Sequence, residues 1–103
     1  MRTRARTDRN QAEVIRALEK LGATVEPIRS IRPGVPDLLV GFQGRNYLIE
    51  VKTPKTGRLS EAQKFWRDGW KGSKPFVIKT TDDVILWLSL IREARRVLEK
   101  ENK

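Results

Sequence analysis

This chain predicts an α/β fold of the α+β type, a single domain with the element order αβββαβα. Three observations carry that expectation. Two apolar runs, "DLLVGF" (37–42) and "NYLIEVK" (46–52), flank a turn containing Gly44 and so predict a strand hairpin. Three other stretches repeat their apolar residues at helical spacing. The 103 residues show no internal repeat or linker, which leaves room for one core and little more.

Residues 1–7 carry Arg2, Arg4 and Arg6 and almost nothing to bury, so a flexible basic arm is expected there, followed by one domain over 8–103. Asp8 is the expected N-cap of the first helix, with Gln11 placed to complete a capping box. Val14, Ala17, Leu18 and Leu21 form its apolar stripe, and Gly22 ends it. "ATVEPI" predicts a short edge strand with Pro27 near its end. "SIRPGVP" is then a loop delivering the chain to Asp37.

With Gly44 and Arg45 as the hairpin turn, Phe42 would face Tyr47, Val40 would face Ile49 and Leu38 would face Val51. All six are apolar and share one face. The opposite face then gathers Asp37, Leu39, Glu50 and Lys52, with Asp37 opposite Lys52 and diagonal to Glu50, roughly 7–8 Å away. A slip of one residue would scramble both faces, so the apolar pattern itself holds the two acids together. "TPKTGR" is a basic loop, and Ser60 caps a second helix carrying Ala62, Phe65, Trp66, Gly69 and Trp70. "KGSKP" breaks it and "FVIKT" is the fourth strand. Thr81 is the expected cap of a last helix bearing Val84, Trp87, Leu88, Ile91 and Leu98.

Lys and Arg outnumber Asp and Glu by 22 to 13, a net charge of +9. Such a surplus attracts polyanions, so nucleic acid is the expected partner; affinity for a membrane surface, or plain solubility, would account for the charge as well. The absence of Cys removes disulfides, thiolate zinc sites and a thiol nucleophile, and the absence of His removes imidazole general acid/base chemistry and Ser-His-Asp triads. Any hydrolysis must use carboxylates, lysine and a metal, and no organic cofactor is expected. "MRTRARTDRN" has no apolar stretch after it, and "VILWLSLI" is far too short to span a bilayer, so no membrane role and a cytoplasmic location are expected.

One constellation could carry that hydrolysis. Asp37 at a strand start, then Glu50 and Lys52 in the next strand, form an acid, acid-x-lysine arrangement suited to a metal-dependent phosphodiesterase. The bland alternative is that Asp37 caps a turn while Glu50 and Lys52 are a solvated strand face.

The combination "GVPDLLVGF…YLIEVKT…GRLSEAQKFW" resembles the VRR-NUC branch of the PD-(D/E)xK nuclease superfamily in its short standalone form, over nearly the whole chain. The resemblance implies a restriction-endonuclease-like αβββαβ core, a mixed four-stranded sheet flanked by helices, with the C-terminal helix added. It implies hydrolysis of DNA phosphodiesters with Mg²⁺ or Mn²⁺. Asp37 and Glu50 match the metal-binding acids, Lys52 the motif lysine, Glu13 an acid on the first helix and Gln63 the glutamine of the second. Standalone members of this kind are linked to phage-type genomes, where the location would be the host cytoplasm or nucleoid, and to homodimers that cut four-way (Holliday) junctions.

Mg²⁺ prefers oxygen ligands and keeps several waters, so Asp37 and Glu50 would supply two ligands and the Val51 backbone carbonyl a third. Pairing with Arg9 or Arg16 explains Glu13 equally well, and a capping box with Ser60 explains Gln63. Phe65, Trp66 and Trp70 span more than one narrow face; two are expected in the core, leaving one for a subunit interface or base stacking. Lys55, Arg58, Lys64 and Arg67 follow the acids in sequence and are the expected phosphate contacts, with Arg2, Arg4 and Arg6 as a grasping arm. The expected function is a metal-dependent endonuclease on branched DNA, junctions or flaps. Its rivals are a restriction- or repair-type nuclease on duplex DNA and a basic DNA-binding module without catalysis.

Overall fold

The computed structural model describes residues 4–53 and 58–101, and of residues 4–8 the backbone alone. Helix α1 (Arg4–Lys20) begins four residues before Asp8, so Asp8 lies inside it and Arg4–Thr7 belong to a helix rather than to an arm. Arg and Ala are strong helix formers, which accounts for the extension. The helix stops as Gly22 predicts: at φ 104 it lets Ala23 N–H donate to Leu18 O (3.0 Å) and Gly22 N–H to Glu19 O (3.1 Å), a Schellman ending.

The sheet runs β1 (Thr24–Pro27), β2 (Leu38–Phe42), β3 (Arg45–Val51), β4 (Phe76–Ile78), in that spatial order. β1/β2 and β2/β3 are antiparallel and β3/β4 is parallel, so the sheet is mixed, as expected. The parallel pair requires a crossover, and helix α2 (Glu61–Gly69) lies in it. Helix α3 (Thr81–Glu101) follows β4.

The hairpin register differs from the expected one by two residues. Leu38 faces Ile49, Val40 faces Tyr47 and Phe42 faces Arg45, so the turn is Gln43-Gly44. Both turn residues have positive φ (50 and 82), the two-residue geometry whose twist matches that of the strands. An even slip preserves side-chain parity, so the two predicted faces survive intact. Continuing the register beyond Leu38–Ile49 puts Asp37 opposite Glu50 rather than opposite Lys52.

One face of the sheet carries Leu38, Val40, Phe42, Ile49, Val51 and Ile78, all buried against Val14 and Leu18 of α1 and Val84, Trp87 and Leu88 of α3. Each such side chain contributes about 1.5–3 kcal/mol by leaving water. Tyr47 and Phe76 pack edgewise or tilted on Trp87, with centroids 5.2 and 5.3 Å away. The cap of α3 is Thr80, not Thr81: Asp83 N–H donates to Thr80 Oγ1 (3.1 Å) and Thr80 N–H returns to Asp83 Oδ2 (3.1 Å). α2 lies at the other face, where Glu50 points, and none of its residues is buried. Among the described residues no helix is long and apolar enough to cross a membrane.

Candidate active site

Asp37 reaches its place through a tightly closed loop. Ile28 N–H donates to Asp37 O (2.9 Å), Val35 N–H to Arg32 O (3.2 Å), and the loop presses on α2 at Gly34. Gly34 has φ 90, and a Cβ there would lie 2.4 Å from the Ala62 carbonyl oxygen, so only glycine fits both the backbone angle and the contact. Asp37 is 4% exposed, and its Oδ2 accepts the Val51 N–H at 2.8 Å, a side chain continuing the strand pairing that ends at Leu38–Ile49.

Glu50 is 2% exposed and shares the pocket with Asp37. Burial pushes its carboxyl from 4.5 up to about 7; the Asp37 charge and a hydrogen bond between the two carboxyls push the same way, while Lys52 and Arg67 pull it down. Gln63 Nε2 donates to Glu50 Oε1 at 3.0 Å. The same amide's Oε1 accepts from Lys52 Nζ at 2.6 Å and from Ser60 N–H at 2.8 Å, while Gln63 N–H donates to Ser60 Oγ at 3.1 Å. Both readings of Gln63 therefore hold at once: it closes the capping box of α2 and bridges Lys52 to Glu50.

Lys52 follows β3 directly. Its N–H donates to Ile78 O (3.0 Å), and its carbonyl accepts from Asn10 Nδ2 (3.0 Å), which also donates to Lys79 O (3.2 Å). Asn10 thus clips the ends of β3 and β4 to α1. It was not among the residues singled out from sequence, although it precedes Val14 by one helical turn. A polar side chain in line with an apolar stripe signals a partner inside the fold.

The structure brings together Asp37, Glu50, Lys52 and Gln63, with the Val51 carbonyl between Glu50 and Lys52 in the chain. Glu13 is exposed on α1 and does not join them; among the described residues no group of three or more Asp, Glu, His or Cys is gathered. Arg58 and Lys64 are exposed, Lys64 beside Glu61 at 3.4 Å. Arg67 is half-buried, donates to Pro75 O (2.8 Å) and sits close enough to Glu50 to act on its carboxyl. Lys55 and Arg2 lie outside the described residues, as do the side chains of Arg4 and Arg6. Contrary to expectation, none of the α2 aromatics is core: Trp66 stacks on Trp70 at 4.5 Å and Phe65 is 83% exposed.

The donor set fits a hard cation. Two adjoining buried carboxyls, Glu50 with its proton affinity raised and Asp37 with an oxygen already oriented by a backbone N–H, offer oxygen ligands where a divalent ion would relieve their repulsion. Two carboxylates suffice for Mg²⁺, which completes its shell with waters and substrate phosphate.

A family model, that of the VRR-NUC domain, matches residues 3–77, well over half the chain and including all four gathered residues. No curated protein and no solved structure matches.

Proposed function

Since this chain belongs to the VRR-NUC family, and so is a nuclease-type domain with DNA as its partner, we propose that it is a Mg²⁺- or Mn²⁺-dependent endonuclease. Its proposed substrates are branched DNAs such as four-way junctions or flaps, cut by a homodimer. The observation that carries the metal dependence is the buried pair of Asp37 and Glu50 beside the Lys52 ammonium. The resemblance of the short standalone form supports the branched substrate. One domain with one site supports the dimer, because resolving a symmetric junction takes two cuts.

In this mechanism Asp37, Glu50 and the Val51 carbonyl would hold the cation, which when bound would polarise the scissile phosphate and offset its charge. The Val51 N–H fixes the Asp37 carboxylate, and Gln63 turns Glu50 toward it. Lys52 is held by Gln63 through Nζ and by Ile78 and Asn10 through its backbone, so its charge is in place before substrate arrives. A positioned ammonium stabilises the negative charge that gathers on the phosphate oxygens during attack by water. Arg58 and Lys64 contact flanking phosphates and bind without regard to base sequence.

A DNA-binding module without catalysis is the rival from another class. Keeping two buried acids together costs stability, and binding alone has no use for them.

A cleavage panel of junction, flap, splayed and linear duplex DNA in Mg²⁺ and Mn²⁺ tests this reading. Asp37→Ala and Lys52→Ala are expected to abolish cutting while holding binding in Ca²⁺ within about tenfold. Cleavage retained by either variant would remove the site assignment. Preference for linear duplex would replace the branched substrate with a restriction- or repair-type one.

A further inference from the structure

Strand β4 is the last in the sheet, hydrogen-bonded to β3 on one side, and among the described residues no strand pairs with its other side. Next to it, the first half of α3 leaves Leu86 (59%) and Leu90 (58%) exposed. They stand four residues apart, on one helix face. With the exposed side chains of Phe76 and Val77 they line a single open groove of about 550 Å³. Its charged lining among the described residues is Lys79 and Asp83, and the Asp83 carboxylate already accepts the N–H groups of Lys79 and Thr80 (2.9 and 3.1 Å). Four large apolar side chains gathered in one exposed concavity mark an interaction site rather than scattered surface.

The charge pattern selects the partner. Of the 22 Lys and Arg residues none falls between 80 and 91, a stretch that instead carries Asp82 and Asp83. DNA and anionic lipid are both drawn by cations, so this is the wrong face for either. A second copy of the chain suits it. A twofold that sets Leu86 of each copy against Leu90 of the other runs the two α3 helices antiparallel. The acidic first turn of each helix then lies toward the second half of the other, where Arg92, Arg95 and Arg96 outnumber Glu93. At most other surfaces a chain of +9 would meet repulsion from its own copy.

We propose that the groove between β4 and α3 is the surface through which two copies of this chain associate, with Leu86, Leu90 and Phe76 as its apolar anchors. This rests on the homodimer reading above and names the surface that reading leaves open. Val77 of β4 is the register partner of Glu50, so the joint would stand one strand away from the acid pair in each copy.

The experiment is sedimentation velocity of the full chain at micromolar concentration, without DNA, for wild type, Leu86→Asp, Leu90→Asp and Ile31→Asp. All three replaced residues are exposed, and circular dichroism melts check that the variants fold. Ile31, in the loop between β1 and β2, carries the same change outside the groove. Wild type and Ile31→Asp are expected to sediment as dimers. Each leucine variant is expected to raise the dimer dissociation constant about hundredfold, because a twofold buries the new charge twice. A wild-type dimer that neither leucine variant splits overturns the surface and leaves the homodimer reading intact. A wild-type monomer overturns both and hands the groove to a different protein. Splitting by Ile31→Asp as well overturns the surface, since the loss is then not specific to the groove. Wild-type cleavage of a four-way junction in Mg²⁺ is read separately and decides the nuclease reading alone.

Discussion

Replacing Glu50 by glutamine is expected to stabilise the metal-free protein at alkaline pH. The folded carboxyl titrates near 7 against an ordinary 4.5, because it is buried beside Asp37. A raised folded value means that the fold binds this proton more tightly than the open chain does. The stabilisation is complete below about pH 4.5 and is lost as pH rises through 7. The interval between 4.5 and 7 corresponds to at most about 3 kcal/mol. For a domain of this size, that is on the order of 10 °C in melting temperature. Glutamine keeps the shape and still accepts from Gln63 Nε2 while removing the charge. Thermal melts in chelator are therefore expected to place Glu50→Gln well above wild type at pH 8, with the gap closing by pH 4. At pH 8, added Mg²⁺ is expected to raise the wild type and leave the variant nearly unmoved, because binding stabilises only a fold that binds. Parallel pH profiles for the two proteins, or a variant less stable at both ends, would refute the reasoning.

Gly34→Ala is expected to lower stability by more than the roughly 1 kcal/mol of a positive φ, since the new Cβ meets the Ala62 carbonyl and pushes α2 away; urea melts and loss of cleavage check this, and a neutral variant would contradict the close approach. Asn10→Ala leaves the Lys52 and Lys79 carbonyls without their donor and is expected to cost about 1–3 kcal/mol, with a fall in kcat at temperatures well below unfolding. Gln43→Asn is expected to stabilise by a few tenths of a kcal/mol, since asparagine tolerates positive φ better than glutamine, and a lower melting temperature would count against the turn geometry.

The apolar alternation across 37–52 made the hairpin, its two faces and the meeting of Asp37 with Glu50 legible before any coordinates. Its register was not, because glutamine is an unfavoured residue for the left-handed backbone that Gln43 adopts. Parity forgave the error: an even displacement keeps every side chain on its face. Thr80 was legible in principle, since Asp83 stands at the capping-box distance from it, whereas Thr81 has Val84 there. The exposure of Phe65 could not be read from periodicity, which assumes that an apolar stripe finds apolar sheet. α2 instead turns Gln63 and Arg67 toward acids. Glu13 was placed by resemblance alone, and α1 packs on the apolar side of the sheet while Glu50 points to the other.

One amide oxygen, that of Gln63, starts a helix and steadies an ammonium group at the same time. Fraying of the first turn of α2 and misalignment of Lys52 are consequently a single event. Because α2 anchors no buried residue, warming is expected to silence the protein while the sheet and its two long helices are still intact.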